Sequence, residues 1–331
     1  MFGNLSEKFS PCERFFCDRA IFLLVGKQRN SSRIGTRSNF ALEQTAITKK
    51  HIIRYFLSSA GFGTGIAFFL IAYWNTLVWL WERAMAPDSY YSHAFLVPFV
   101  SAFLIWRERK TLRETPLKSS SWGLALILFS ILIHLLGVLL NVYSTSGFSI
   151  PILMFGLSLF FFGWVATRKI VFPLAFLFFM IPLPMAALGT VSLPMKTFAT
   201  ESGARIAELF GVPVVREGFQ LHFPSASLLI DNPCSGLRSL IALMALGSVY
   251  AYLFPASLWK RISLFLLAIP IALLANTVRV TILVLAVSRL GVDVIDGPLH
   301  WLSGLMVFVL ALALLMAAGK LLHWRYGENK G

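Results

Sequence analysis

The sequence predicts an all-α polytopic membrane protein of about eight transmembrane helices, with a small amphipathic helix and a β-hairpin on the outer face. Three observations predict it. The 331-residue chain is 57% hydrophobic and only 13% charged, with a mean hydropathy of +0.74. Apolar stretches approaching the roughly 20 residues that a spanning helix needs recur along it. Basic residues gather at alternate ends of those stretches, as they do in the cytoplasmic loops of membrane proteins. The same bias accounts for the net charge of +14, so no nucleic-acid partner is implied.

Residues 1–50 are polar and basic and read as a disordered cytoplasmic extension. The apolar patch Ala20–Gly26 is too short to span, and no clean small-residue cleavage site follows it. Eight spans then follow, at about 60–81, 92–106, 122–140, 148–166, 170–191, 234–254, 262–288 and 299–321. They make one membrane domain over 51–325, with a short tail at 326–331. The fifth span carries Pro173, Pro182 and Pro184 and should be kinked or broken, which spanning helices tolerate when neighbours satisfy the freed carbonyls.

Orientation follows from the cations. Arg54 precedes the first span. Arg107, Arg109, Lys110, Arg113 and Lys118 follow the second, and Arg168 and Lys169 the fourth. Lys260 and Arg261 follow the sixth, and Lys320, Arg325 and Lys330 the eighth. These ends belong in the cytoplasm, so both termini are cytoplasmic. The one long outer segment is then 192–233. In its first part Leu193, Met195, Phe198, Ile206 and Leu209 recur at near-helical spacing, which predicts an amphipathic helix lying on the membrane. In its second part Phe219, Leu221 and Phe223 alternate with Gln220 and His222, which predicts a hairpin delivering the chain to Cys234.

Cys234 opens the sixth span in Asp231-Asn-Pro-Cys-Ser-Gly-Leu-Arg-Ser-Leu240. Asn232 suits an N-cap and Pro233 the first helical position, which would put Cys234 in the first turn, where the helix dipole favours a thiolate. A lone membrane cysteine also serves as a small apolar side chain, so Cys234 by itself does not decide. Arg279 adds weight. It lies inside the seventh span, about 25 Å from the cytoplasmic end near Ile262 at roughly 1.5 Å per residue. An intramembrane arginine is costly and normally faces a partner or a cavity; the alternative is an arginine snorkelling to the outer boundary. Asn276 is three residues earlier, on the same helix face. His300 begins the eighth span after Asp296-Gly-Pro298. A helix N-terminus disfavours the imidazolium, which suits a base near neutral pH; the alternative is an interfacial histidine. Arg238, one turn beyond Cys234, and His93 at the outer face are supporting candidates. Cys12 and Cys17 have no cysteine partner in a C-x-x-C pair, and no cofactor or metal ligand cluster is visible.

Several segments taken together resemble the exosortase family. They are Cys234–Leu240, Asn276-Thr-Val-Arg279 and the late His300. With them come Tyr91-Ser-His93 followed by Phe95-Leu-Val-Pro98, then Phe179-Met-Ile-Pro-Leu-Pro184 and Arg216-Glu-Gly218. The resemblance covers roughly residues 55–322. One departure is Asp231-Asn-Pro before Cys234, where small apolar residues ending in alanine are expected. The resemblance implies a membrane cysteine transpeptidase or protease of the bacterial inner membrane, with its active site on the periplasmic side. Its partners would be secreted proteins with a C-terminal sorting tail: a Pro-Glu-Pro-like motif, a spanning helix and a basic end. It implies attack by Cys234 to form a thioester, an oxyanion held by Arg279 and proton transfer by His300. Release then goes to water or to a lipid-linked or exopolysaccharide acceptor among the membrane lipids. The competing reading is a membrane component of exopolysaccharide transport or assembly, which needs no thiol.

Overall fold

In the computed structural model the residues described are 59–86, 89–116, 118–223, 227–230, 236–291 and 298–327. The chain divides into two compact units, Met1–Ala72 and Tyr73–Gly331. The first unit contributes the opening half of helix α1 (Ser59–Met85).

Hydrophobic length sets the elements. Among the described residues five helices are long and apolar enough to cross a membrane: α1, α4 (Ser121–Leu139), α5 (Tyr143–Phe161), α10 (Leu258–Leu290) and α11 (Pro298–Gly327). A sixth crossing is available if the bent pair α6 (Gly163–Lys169) and Val171–Met180 counts as one span, with a 66° break between its halves. The second half of that pair is α7 (Val171–Phe176) running into a 3-10 turn at Leu177–Met180. The expected spans near 92–106 and 234–254 are shorter helices, α2 (Leu96–Arg107) and α9 (Leu237–Leu253). The protein is thus an α-helical polytopic membrane protein, with five to six candidate spans among the described residues where eight were expected along the chain. Arg109–Arg113 forms one further turn, α3, at the basic end of α2.

The fifth expected span is corrected most. The chain leaves helical geometry at Ile181 and re-enters it at Met185, with Pro184 as the N-cap of α8 (Met185–Leu209). Pro182 and Pro184 account for this, because the residue before a proline is pushed out of the helical region. The helix expected from 192 therefore starts seven residues earlier and runs through Pro194.

Its packed face is built mostly of small residues. Leu193, Phe198 and Leu209 are exposed, and the buried stripe is Ser192, Met195, Lys196, Ala199, Thr200, Gly203, Ala204 and Ala207. Close approach to α10 is the reason. A methyl added at Gly203 would lie 2.7 Å from Cγ1 of Val280, and small residues are what let two such helices come together.

Beyond α8 the chain makes three short antiparallel strands in the order β1 (Val215–Glu217), β2 (Gln220–His222), β3 (Ser227–Leu229). Glu217 pairs with Gln220 across a two-residue turn, and Gly218 there has φ +62°, as such tight hairpin turns require. Leu221 stands opposite Leu228. Both are buried in one apolar cluster with Ala199, Ala204 and Ala207 of α8 and Val280, Leu283, Val284 and Val287 of α10. The sheet thus covers the far end of the α8–α10 pair.

Helix α10 is the central element. It packs on α8, α9 and α11, and 61% of its most apolar window is buried against 22% for α4. At roughly 1.5 Å per residue its 33 residues reach about 50 Å, beyond the hydrocarbon core.

Candidate active site

The site is built around α10. Asn276 and Arg279 are one helical turn apart on it and are 2% and 6% exposed. An arginine so buried must be held by its neighbours. Its Nε donates to the Ser303 hydroxyl of α11 at 3.3 Å, between two buried side chains. The guanidinium also lies against Gly304, where an added methyl would sit 3.6 Å from Nη2 and 3.8 Å from Cζ. The snorkelling alternative does not describe this side chain, because it turns into the helix–helix contact.

Asn276, one turn earlier, lies against the start of α9. Gly236, the N-cap of that helix, has φ +76°. A methyl on it would fall 2.5 Å from Cγ of Asn276 and 2.8 Å from its Nδ2. The backbone at 236 is therefore seated directly on the Asn276 carboxamide. Two adjacent positions of α10 touch the beginning of α9 and the first turns of α11.

Cys234 lies outside the described residues, as does the expected helix start at Asn232-Pro233. The described helix begins at Leu237 and its cap is Gly236. The backbone of residue 300 is in α11, which starts at Pro298 as its sequence suggests, one turn before Ser303 and Gly304. The His300 side chain is outside the described residues. Arg238 is half-buried in the first turn of α9.

His93 lies in the turn Tyr90–Phe95 that leads into α2. Burial lowers its pKa, so the ring is neutral near pH 7. Its neighbour Tyr91 is buried, which raises the pKa of its phenol. The Tyr91 hydroxyl accepts the Leu183 N–H at 3.0 Å. That bond ties the Tyr91-Ser-His93 segment to the Met180-Ile-Pro-Leu-Pro184 break. Tyr91 also belongs to the apolar cluster that contains Leu237 and Leu240 of α9. Arg216 bonds the Gly218 carbonyl through Nε at 2.9 Å and pairs with Glu201 of α8 at 3.6 Å, fixing the hairpin to the helix.

Sequence reasoning misses Ser303 and Gly304. A small-residue pair one turn beyond His300 is the available signal. It also misses the buried Lys196, whose Nζ lies 5.5 Å from the centre of the Phe219 ring. Among the described residues no group of three or more His, Cys, Asp or Glu could hold a metal ion.

A polytopic helical membrane protein whose central helix buries an arginine against the start of the following helix is the class that fold and site define. The family model for transmembrane exosortases matches residues 74–317, most of the chain, and the protein belongs to the exosortase family. No curated protein and no solved structure matches it significantly.

Proposed function

We propose that the protein is a sortase-like membrane cysteine transpeptidase or protease that trims C-terminal sorting tails at the outer face of the bacterial inner membrane. Its substrates would be secreted proteins ending in a Pro-Glu-Pro-like motif, a spanning helix and basic residues. The Cys234 thiolate attacks the carbonyl of the scissile peptide. The developing oxyanion is met by Arg279, a fixed cation in dry surroundings. The C–N bond breaks, His300 gives a proton to the departing amine, and a thioester remains on Cys234. Water or an amine on a lipid or glycan acceptor, deprotonated by His300, then attacks the thioester and frees the thiol. On this reading both termini are cytoplasmic, residues 1–50 form a cytoplasmic extension, and Arg238, Asn276 and His93 support the reacting groups.

The observation that supports it most is the double contact of α10. Asn276 touches Gly236, two residues from Cys234, and one turn on Arg279 touches Ser303 and Gly304, one turn from position 300. A buried cation against the segment that carries the imidazole, one turn from a carboxamide against the segment that carries the thiol, fits acyl transfer better than a transport path, which has no need of Cys234.

The test follows a tail-bearing substrate by immunoblot in cells carrying the wild-type protein, Cys234→Ala or Cys234→Ser. The expected result is accumulation of full-length substrate with both variants at normal membrane levels. Normal trimming without the thiol would overturn the proposal and favour a role in exopolysaccharide transport or assembly.

A further inference from the structure

We propose that Ser303 is a positioning residue for the reaction, holding the plane of the Arg279 guanidinium. The inference rests on the reading of Arg279 as the oxyanion donor and deepens it. Ser303 is 8% exposed and faces α10 from the second turn of α11. Its hydroxyl accepts from Nε of Arg279 at 3.3 Å.

The choice of nitrogen matters. Guanidinium is planar with five N–H donors in a fixed fork. Fixing Nε, the donor nearest the stem, sets the direction of the whole fork without itself engaging Nη1 or Nη2. Gly304 completes the seat, since the guanidinium rests at van der Waals distance from where its Cβ would be. A larger residue there would push the fork away. A hydrogen bond to a charged donor is also stronger than a neutral one, and more so out of water.

The same contact couples two parts of the reaction. Ser303 is on the helix face shared by position 300, three residues earlier. Whatever shifts α11 along α10 therefore moves the guanidinium and the imidazole segment together. The bond from Arg279 Nε to Ser303 is one of the contacts that set their spacing.

The test uses the full-length protein in membranes, with the tail-bearing substrate, and compares Ser303→Ala, Ser303→Thr and Ser303→Val. Thr and Val have nearly the same shape and differ in the hydroxyl. The expected result is a kcat reduced roughly tenfold to a hundredfold in the Ala and Val variants, as for a misplacement of about 1 Å. KM is unchanged, and Ser303→Thr stays close to wild type. In an Arg279→Lys background, which has no Nε, Ser303→Ala should have no further effect on residual trimming. Equal rates for Thr and Val at equal membrane levels would overturn the inference, as would a wild-type kcat per folded molecule in Ser303→Ala. Should Thr and Val fail to accumulate in the membrane, the Ala variant decides. Cys234→Ala separates the two layers. If it abolishes trimming while Ser303→Ala is normal, only the positioning role is lost; if it leaves trimming intact, the reaction itself is misassigned.

Discussion

Gly236 and Asn276 meet so closely that the first has no room for a side chain: an added methyl would lie 2.5 Å from Cγ and 2.8 Å from Cβ of Asn276. The left-handed backbone at Gly236, φ +76°, adds roughly 1–2 kcal/mol for any L-residue. The overlap adds about 1–3 kcal/mol more. Gly236→Ala should therefore lower the membrane level and the melting temperature in detergent and stop substrate trimming. Gly189→Ala, where an added methyl meets nothing within 4 Å, should leave both unchanged.

Arg279 gives a prediction about charge against shape. Arg279→Lys keeps the cation but loses Nε and the planar fork, so it cannot reproduce the bond to Ser303. Trimming should fall by roughly a hundredfold to a thousandfold in Arg279→Lys, as on loss of an oxyanion donor. Arg279→Gln should be no better. Initial rates on a tail-bearing substrate, normalised to membrane-extracted protein, check this; a fully active lysine variant would mean that charge alone suffices.

His134, which has no role in the sequence reading, sits in a buried hydroxyl cluster. Its Nδ1 is 2.8 Å from the Ser146 hydroxyl, which is 2.6 Å from that of Thr76. Its ring lies 4.0 Å from that of Tyr73, and the Tyr73 hydroxyl bonds Ser149 at 2.7 Å. Such interhelical bonds contribute about 0.6–1.7 kcal/mol each in membranes. His134→Phe keeps the ring contact and removes the bond. It should lower the detergent melting temperature modestly and leave trimming per folded molecule unchanged, since α1, α4 and α5 carry none of the proposed reacting groups.

His93 predicts a pH dependence of stability. Burial lowers its folded-state pKa, so the unfolded chain takes up a proton first on acidification. Stability is complete above the unfolded pKa of about 6.5. It falls as the pH drops through that value toward the lower folded-state pKa. Melting curves between pH 7.5 and 5.5 should show this loss in the wild type and a flatter profile in His93→Gln.

Much of the candidate site is legible in the sequence because its parts are costly in a membrane. Arg279 stands out in an apolar run. Asn276 follows from helical spacing, and the break at Pro182 and Pro184 from proline geometry. Ser303 and Gly304 do not stand out, since a serine and a glycine in an apolar helix are ordinary until a cation is seen resting on them. The packed face of α8 is hard to read for a related reason, because close approach to α10 selects small residues and leaves Leu193 and Phe198 outward.

The sequence by itself determined that the chain is a helical membrane protein, roughly where its apolar segments lie and which of its residues are chemically out of place there. Those properties depend on composition and on spacing within one helix, both of which are local. The tertiary structure alone decided that Asn276 reaches Gly236 and that Arg279 reaches Ser303. Those contacts depend on how near α9 and α11 come to α10, and side-chain size at each crossing sets that distance.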